Sequence, residues 1–224
     1  MDISSITENY YNAVLDTDRD EALHVIDEAI NSGIEAETLV FDVVLPSLDN
    51  MLHAISRDDN ATLSQHFISA KVASEVVEAL IARFQIRPTC SGTIVLGTAA
   101  GDFHGLGKKI VAGCLTAHMY TVHDAGLNVS PRRFVDLAEH NAADVIGVSS
   151  MMMHTTTSET GPKGVRDELR RRGLEKRIRL IVGGAPYRFD AELYRKVGAD
   201  GWAENALSAV SVIKAFTARG EHYA

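Results

Sequence analysis

The sequence predicts an α/β protein in two parts: a four-helix bundle over residues 1–87, then a flavodoxin- or Rossmann-like domain with a five-stranded parallel sheet over residues 88–224. Three observations predict it. Up to Phe84 the apolar residues recur at helical spacing. From Thr93 onward, short β-rich runs alternate with helical stretches, the pattern of a parallel sheet covered on both faces. Between them lies Gln85 to Gly92, a linker marked by Pro88 and Gly92.

In the first part, Ile6 to Leu15 reads as a short helix. Asp18 to Asn31 is the second, with Ala22, Leu23, Ile26, Ala29 and Ile30 on one apolar face and Asn31-Ser32-Gly33 as the stop. Glu37 to Leu45 and Pro46 to Ile55 form a third segment, bent at Pro46. Arg57-Asp58-Asp59-Asn60 is a polar turn, and Thr62 to Phe84 is a long helix. Short connections pack these helices as a bundle.

In the second part, Thr93 to Thr98 is the first strand and Lys108 to Ala117 the helix after it. Tyr120 to Asp124 is the second strand. Pro131 to His140 is a helix capped by Ser130, with proline at its first position. Val145 to Ser149 is the third strand, Gly164 to Arg172 a helix, and Arg179 to Gly184 the fourth strand. Ala191 to Val197 is helical, Gly201 to Ala203 is a short fifth strand, and Ala206 to Arg219 ends the pattern as a helix. Ligands of such sheets bind at the carboxyl ends of the strands, so the informative loops are Ala99 to Gly107, Ser149 to Thr157 and Gly183 to Phe189.

Composition narrows the function. A chain of 224 residues with 46% apolar and 23% charged side chains buries a core and reads as soluble. A formal net charge of -8 argues against a nucleic-acid surface, which needs a basic face. Cys90 and Cys114 lack metal-motif spacing and form no disulfide framework. With no signal peptide and no apolar run long enough to span a membrane, the expected compartment is the cytoplasm.

The loop after the first strand, Gly101-Asp102-Phe103-His104-Gly105-Leu106-Gly107-Lys108-Lys109, carries the chemistry. Glycine-rich strand-to-helix turns commonly hold phosphate. The spacing here departs from both phosphate patterns. A Walker A loop needs four residues between its first glycine and Gly-Lys, whereas five separate Gly101 from Gly107. A dinucleotide fingerprint starting at Gly105 needs Gly or Ala where Ile110 stands. A close-packed turn with an incidental histidine is one alternative. The other is a metal ligand. His104 has no HxH or HxxxH partner for a free ion, but one imidazole serves as axial ligand to a metal already held in a macrocycle. Asp102 then bonds the other ring nitrogen, fixing its tautomer.

Asp102-x-His104-x-x-Gly107 resembles the signature of cobalamin-binding domains that take B12 with its nucleotide base displaced and a histidine on cobalt. The family's other two motifs follow in order: Ser149-Ser150-Met151 for Ser-x-Leu, and the pair Gly183-Gly184. The helical first part resembles the bundle that precedes this domain in corrinoid proteins of methyltransferase systems and in methionine synthase. The resemblance implies that His104 is the lower cobalt ligand and Asp102 its partner. It implies that Phe103, Gly105, Leu106 and Gly107 lie along the cofactor's lower side, and that Gly107 lets the helix start pack beside the nucleotide tail. Ser149 and Met151 meet the displaced base, Thr155 the tail, and Gly183 and Gly184 give the base clearance. Met151 stands where the family carries leucine, and Gly105 where it often carries an acid.

The function implied is a methyl-carrying corrinoid subunit. Its partners are a methyl-donor methyltransferase, a methyl-acceptor methyltransferase and a reductive activator, with no nucleic acid and no membrane. The helical part would cover the upper cobalt face. A B12-dependent sensor acting through a partner protein is the alternative, and a mutase small subunit would lack the helical part. Elsewhere, His53, His66 and Phe67 read as helix packing, and Met151 to Met153 as strand-end core and pocket lining. His154 reads as a solvent-facing loop residue, Trp202 as core or pocket wall, and Arg170-Arg171-Arg172 as a solvated helix end. His123 and Asp124 lie near the ligand edge.

Overall fold

The computed structural model describes residues 2–56, 62–83 and 90–217, and not the side chains of 52–56, 63 and 66. The expected turn at Arg57 to Asn60, the end of the long helix at Phe84, residues 85–89 of the expected linker with the boundary at 87/88, the helix end at Arg219 and the side chains of His53 and His66 lie outside the described residues. The chain divides into two compact units, Met1–Thr89 with Thr116–His118 and Cys90–Leu115 with Met119–Ala224.

The first unit holds α1 (Ile3–Leu15), α2 (Arg19–Asn31), α3 (Ala36–Thr38), α4 (Leu45–Ser56) and α5 (Leu63–Ile81). Asp18 caps α2 by accepting the Glu21 N–H at 3.0 Å. The helix stops as expected, with the Ile34 N–H returning to the Ala29 carbonyl at 3.1 Å beyond Gly33. A reciprocal capping box between Thr62 and Gln65 opens α5. The core is apolar, with Ile6, Leu39, Val40, Val43, Val44, Met51 and Val77 almost wholly buried.

The bend expected at Pro46 takes another form. The helix runs through Pro46, and the irregularity falls just before it, as a π-helical turn over Leu39–Val44. Proline has no N–H for the carbonyl one turn back, at Asp42, and its ring crowds that carbonyl. The wider turn sends the Leu45 N–H to the Val40 carbonyl. The Thr7 hydroxyl of α1 reaches the Asp42 carbonyl at 3.2 Å, sharing its single proton with the Ile3 carbonyl at 2.9 Å.

The second unit is the expected sheet. Strands β1 (Thr93–Ala99), β2 (Thr121–Val129), β3 (Val145–Ser149), β4 (Arg179–Gly183) and β5 (Gly201–Ala203) stand in the order β2-β1-β3-β4-β5, all neighbours parallel. This is the flavodoxin order, which reverses direction at β1 and β3 and opens a ligand crevice there. The connecting helices are α6 (Leu106–Ala117), α7 (Pro131–His140), α8 (Met153–Thr157), α9 (Pro162–Arg171), α10 (Ala185–Phe189), α11 (Leu193–Lys196) and α12 (Ala206–Thr217). Right-handed crossovers put α6 on one face and α7, α9 and α11 on the other, and α12, which follows the last strand, sets Val212 and Phe216 beside Gly201 of β5. One core joins Val95, Ile146 and Leu180 of the strands to Phe134 and Val135 of α7 and Leu169 of α9.

Three departures from expectation matter. Strand β2 continues past Asp124 to Val129. Its extension is disguised by two turn-forming residues, Gly126 at φ +97° and Asn128 at φ +53°, where the pairing with β1 shifts register. The helix expected over 191–197 is a shorter one, α11 at Leu193–Lys196, and the expected loops over 149–157 and 183–189 contain α8 and α10, which are too short to show a period. Arg172, expected at a solvated helix end, is largely buried and reaches Asp136 of α7 at 2.7 Å and Glu168 of α9 at 2.5 Å. It ties the two helices together.

Two strand glycines test the packing. A Cβ at Gly97 would lie 2.7 Å from Phe134 Cε1 and 2.8 Å from its Cζ, against a ring fixed in the core. A Cβ at Gly147 would lie 2.7 Å from Leu96 Cδ1, the end of a side chain that can turn away. Gly97→Ala is expected to cost roughly 1–3 kcal/mol in denaturant unfolding, and Gly147→Ala clearly less. Equal losses contradict this packing.

Candidate functional site

At the carboxyl edge of the sheet, the chain leaves β1 and turns at Gly101 (φ +80°). The turn closes with the Asp102 N–H on the Ala99 carbonyl at 2.9 Å. It carries the Asp102 side chain into the protein, where it is 0% exposed. Oδ1 accepts from the His104 N–H at 2.9 Å and pairs with His104 Nδ1 at 3.0 Å. Oδ2 accepts from the Met151 N–H at 2.6 Å and the Thr155 hydroxyl at 3.1 Å. Burial pushes the Asp102 pKa up, but the bonds from His104, Met151 and Thr155 outweigh it and hold the carboxyl below its ordinary value.

The tautomer of His104 follows. An ionised carboxylate only accepts, so Nδ1 carries the proton in the pair. The Nε2 lone pair of the neutral ring is then left for a ligand, and the ring is 59% exposed. Among the described residues no group of three or more His, Cys, Asp or Glu could hold a metal ion. A lone imidazole suits a metal that arrives already held by a macrocycle.

Neighbouring strand ends build the floor. The Thr98 hydroxyl donates to the Asp102 carbonyl at 2.6 Å, and so does the Asn128 N–H at 3.1 Å. The Gly101 N–H donates to Asn128 Oδ1 at 2.7 Å. Ser149 is paired in register with Thr98 on one side and Gly183 on the other. Ser150 is buried; its N–H donates to the Gly183 carbonyl at 2.9 Å, and its Oγ accepts from Thr156 at 2.8 Å. Gly184 sits at φ 127°, ψ 172°, a region open essentially to glycine alone. A Cβ there would lie 1.9 Å from the Ser150 carbonyl oxygen. The third and fourth strand ends thus meet backbone against backbone.

Beside them Tyr187 is buried, and its hydroxyl makes no well-formed hydrogen bond among the described residues. Burial pushes its pKa up to about 12, against the lowering effect of the nearby Ser150 and Thr156 hydroxyls.

The rim is apolar and exposed: Phe103 is 66% and Phe189 88% accessible, and Leu106, Leu127, Met151, Met152 and Met153 are also exposed. A Cβ at Gly107 would meet nothing within 4 Å, so protein packing does not demand glycine there, whereas a bulky neighbour on the helix start would. At Gly105 a Cβ would lie 2.9 Å from Leu127 Cδ2, so Leu127 occupies the space an acidic side chain would take.

Asp102, His104, Met151 and Thr155 are therefore bonded together directly, Ser149, Gly183 and Gly184 line the adjoining strand ends, and Phe103 to Gly107 form the first turn of α6 and its approach. Thr155 holds the carboxylate, a role the motif did not reveal. Asp124, placed near the ligand edge by sequence, is paired with the buried Lys108 ammonium. His154 is exposed on α8, and Trp202 packs against the sheet core. Sequence reasoning missed Thr98, Asn128, Ser150 and Tyr187. The available signals were a threonine inside an apolar strand and an asparagine two residues after a glycine.

A model of the family described as B12 binding domain matches residues 92–211. A dimethylamine corrinoid protein of Methanosarcina acetivorans is 42% identical over 123 residues, 55% of this chain and 55% of that protein. The chain thus spans about half the length of the first curated relatives it matches. A corrinoid protein of Desulfitobacterium hafniense (strain Y51) is 29% identical over 215 residues, 94% of this chain and 96% of that protein. Among solved structures, a cobalamin-binding protein from Desulfitobacterium hafniense DCB-2 superposes with a TM-score of 0.76 at 21% identity, over 96% of this chain and 98% of that one. A chain of the methanol:cobalamin methyltransferase complex from Methanosarcina barkeri gives 0.72 at 22% identity, over 96% of this chain and 80% of that one. These two likenesses show that the fold is shared.

The Asp102 carboxylate makes stability depend on acid. Its pKa is depressed in the folded state, so its contribution is present above the unfolded value of about 3.9 and is lost as pH falls through the folded one. Denaturant unfolding from pH 7 to pH 2.5 should show the wild type losing more stability than Asp102→Asn. Parallel profiles contradict the arrangement.

Proposed function

The chain belongs to the B12-binding domain family, whose cofactor is cobalamin, and on that premise we propose that it binds cobalamin with the nucleotide base displaced and His104 Nε2 on cobalt, and carries a methyl group between methyltransferases. The observation that carries this reading is the Asp102–His104 pair, which holds the proton on Nδ1 and turns the other nitrogen outward.

Bound cobalamin supplies a cobalt centre that takes up and releases a methyl group. The chain's own residues do the rest. His104 offers a nitrogen lone pair, and Asp102 raises its basicity by accepting the Nδ1 proton. Thr155 and the Met151 N–H keep Asp102 ionised and in place. Phe103, Leu106, Gly105 and Gly107 give the flat ring an apolar lower seat with room at the helix start. Ser149, Met151, Gly183 and Gly184 border the strand ends where the displaced base enters, and Tyr187 brings a buried hydroxyl, beside those of Ser150 and Thr156, to the same place.

The partners under this reading are a methyl-donor methyltransferase, a methyl-acceptor methyltransferase and a reductive activator. Similarity to proteins named dimethylamine corrinoid proteins, and to a chain of a methanol:cobalamin methyltransferase complex, supports such partners. With a net charge of -8, nucleic acid is not among them. No described helix is long and apolar enough to cross a membrane.

The test is reconstitution with hydroxocobalamin, read by visible absorbance. The wild type should show a protein nitrogen on cobalt, and His104→Ala should lose that signature and retain the cofactor poorly. Asp102→Ala should weaken retention about 10–100-fold. An unchanged spectrum in His104→Ala sinks the ligand assignment.

A further inference from the structure

We infer that Asn128, at the end of the edge strand β2, is a positioning residue for the His104 imidazole, holding the ligand loop in register from the neighbouring strand. The link to cobalt rests on the function proposed above; the positioning itself does not.

Asn128 grips the loop twice. Its Oδ1 accepts the Gly101 N–H at 2.7 Å, and its own N–H donates to the Asp102 carbonyl at 3.1 Å and to Thr98 Oγ1 at 2.9 Å. These bonds hold the two peptide groups that flank the Gly101–Asp102 bond, and so aim the carboxylate that orients His104. Asparagine fits for a physical reason. The residue sits at φ +53°, where a short polar side chain is tolerated and most others are strained. Glycine accepts that backbone equally well but brings no acceptor.

A second brace holds the far side of the loop. Lys108, on the first turn of α6, is almost wholly buried and pairs through Nζ with Asp124 of β2. Asp124 Oδ1 also accepts the Gly126 N–H at 2.8 Å, fixing the stretch that leads to Asn128. Leu127, between them, lies over Gly105. A buried ammonium is costly to keep, and this one ties the start of α6 to the strand end that grips Gly101 and Asp102. Both flanks of His104 are thereby referred to β2.

Amide hydrogen exchange in the cofactor-free protein tests this. In Asn128→Gly, which suits the backbone conformation and so keeps the fold, the Gly101 amide loses its acceptor. If Asn128 positions the loop, the His104 and Met151 amides, both bound to Asp102, also exchange roughly five- to tenfold faster, the worth of one net hydrogen bond. Asn128→Asp, which keeps the acceptor, should leave them near wild type. Lys108→Met, which removes the ammonium and leaves the half-exposed Asp124 to solvent, should speed the His104 amide by a smaller factor. A rise confined to Gly101, with His104 and Met151 unmoved in both Asn128→Gly and Lys108→Met, overturns the inference. Hydroxocobalamin titration separates it from the functional reading. Asn128→Gly is expected to bind about fivefold more weakly than Asn128→Asp, by the same hydrogen-bond arithmetic. A His104→Ala spectrum identical to wild type refutes the cobalt ligand and leaves the exchange result standing.

Discussion

A buried carboxylate must be matched by donors, and the Asp102 side chain is matched by four: two from His104, one from Met151 and one from Thr155. An ionised group with no exposure is tolerated only under such conditions. The requirement reaches far along the chain. It places the first turn after β1, the loop after β3 and the start of α8 around one pair of oxygens. It also decides which nitrogen of His104 bears the proton, and therefore which one is free. The site is a consequence of satisfying that single charge.

The sheet supplies the frame that makes this possible. In the order β2-β1-β3-β4-β5 the loops after β1 and β3 adjoin, because those strands are direct neighbours. The Thr98–Ser149–Gly183 register continues the same row into β4. Close approach at the next residue is then enforced by Gly184, whose conformation and contact with Ser150 exclude any side chain. The result is a narrow seam of small and hydroxyl-bearing residues beside an exposed apolar rim, a surface suited to a large, flat, partly polar ligand.

What sequence could reveal divides along the range of the interaction. The Asp102–His104 pair is two residues apart, so its chemistry was legible, and so were the strand order and the Gly183-Gly184 pair, which follow from local patterns. Thr155 was singled out, but its hydroxyl serves Asp102 across a separation of 53 residues, which no spacing rule encodes. Asn128 was hidden because Gly126 and Asn128 are turn formers that mask a continuing strand. The π-helical turn before Pro46 was likewise out of reach. The proline announced an irregularity, but the partner that accommodates it, Thr7, lies on another helix.

The central claim is that His104, and not the cofactor's own base, is the nitrogen on cobalt. Electron paramagnetic resonance of the Co(II) cobalamin complex decides it when the protein is labelled with ¹⁵N-histidine. Each nitrogen isotope splits the cobalt lines differently, so an axial histidine converts a three-line superhyperfine pattern to two lines on labelling. The account predicts that conversion, and its absence in Asn- or Lys-labelled controls. A three-line pattern that survives histidine labelling contradicts it.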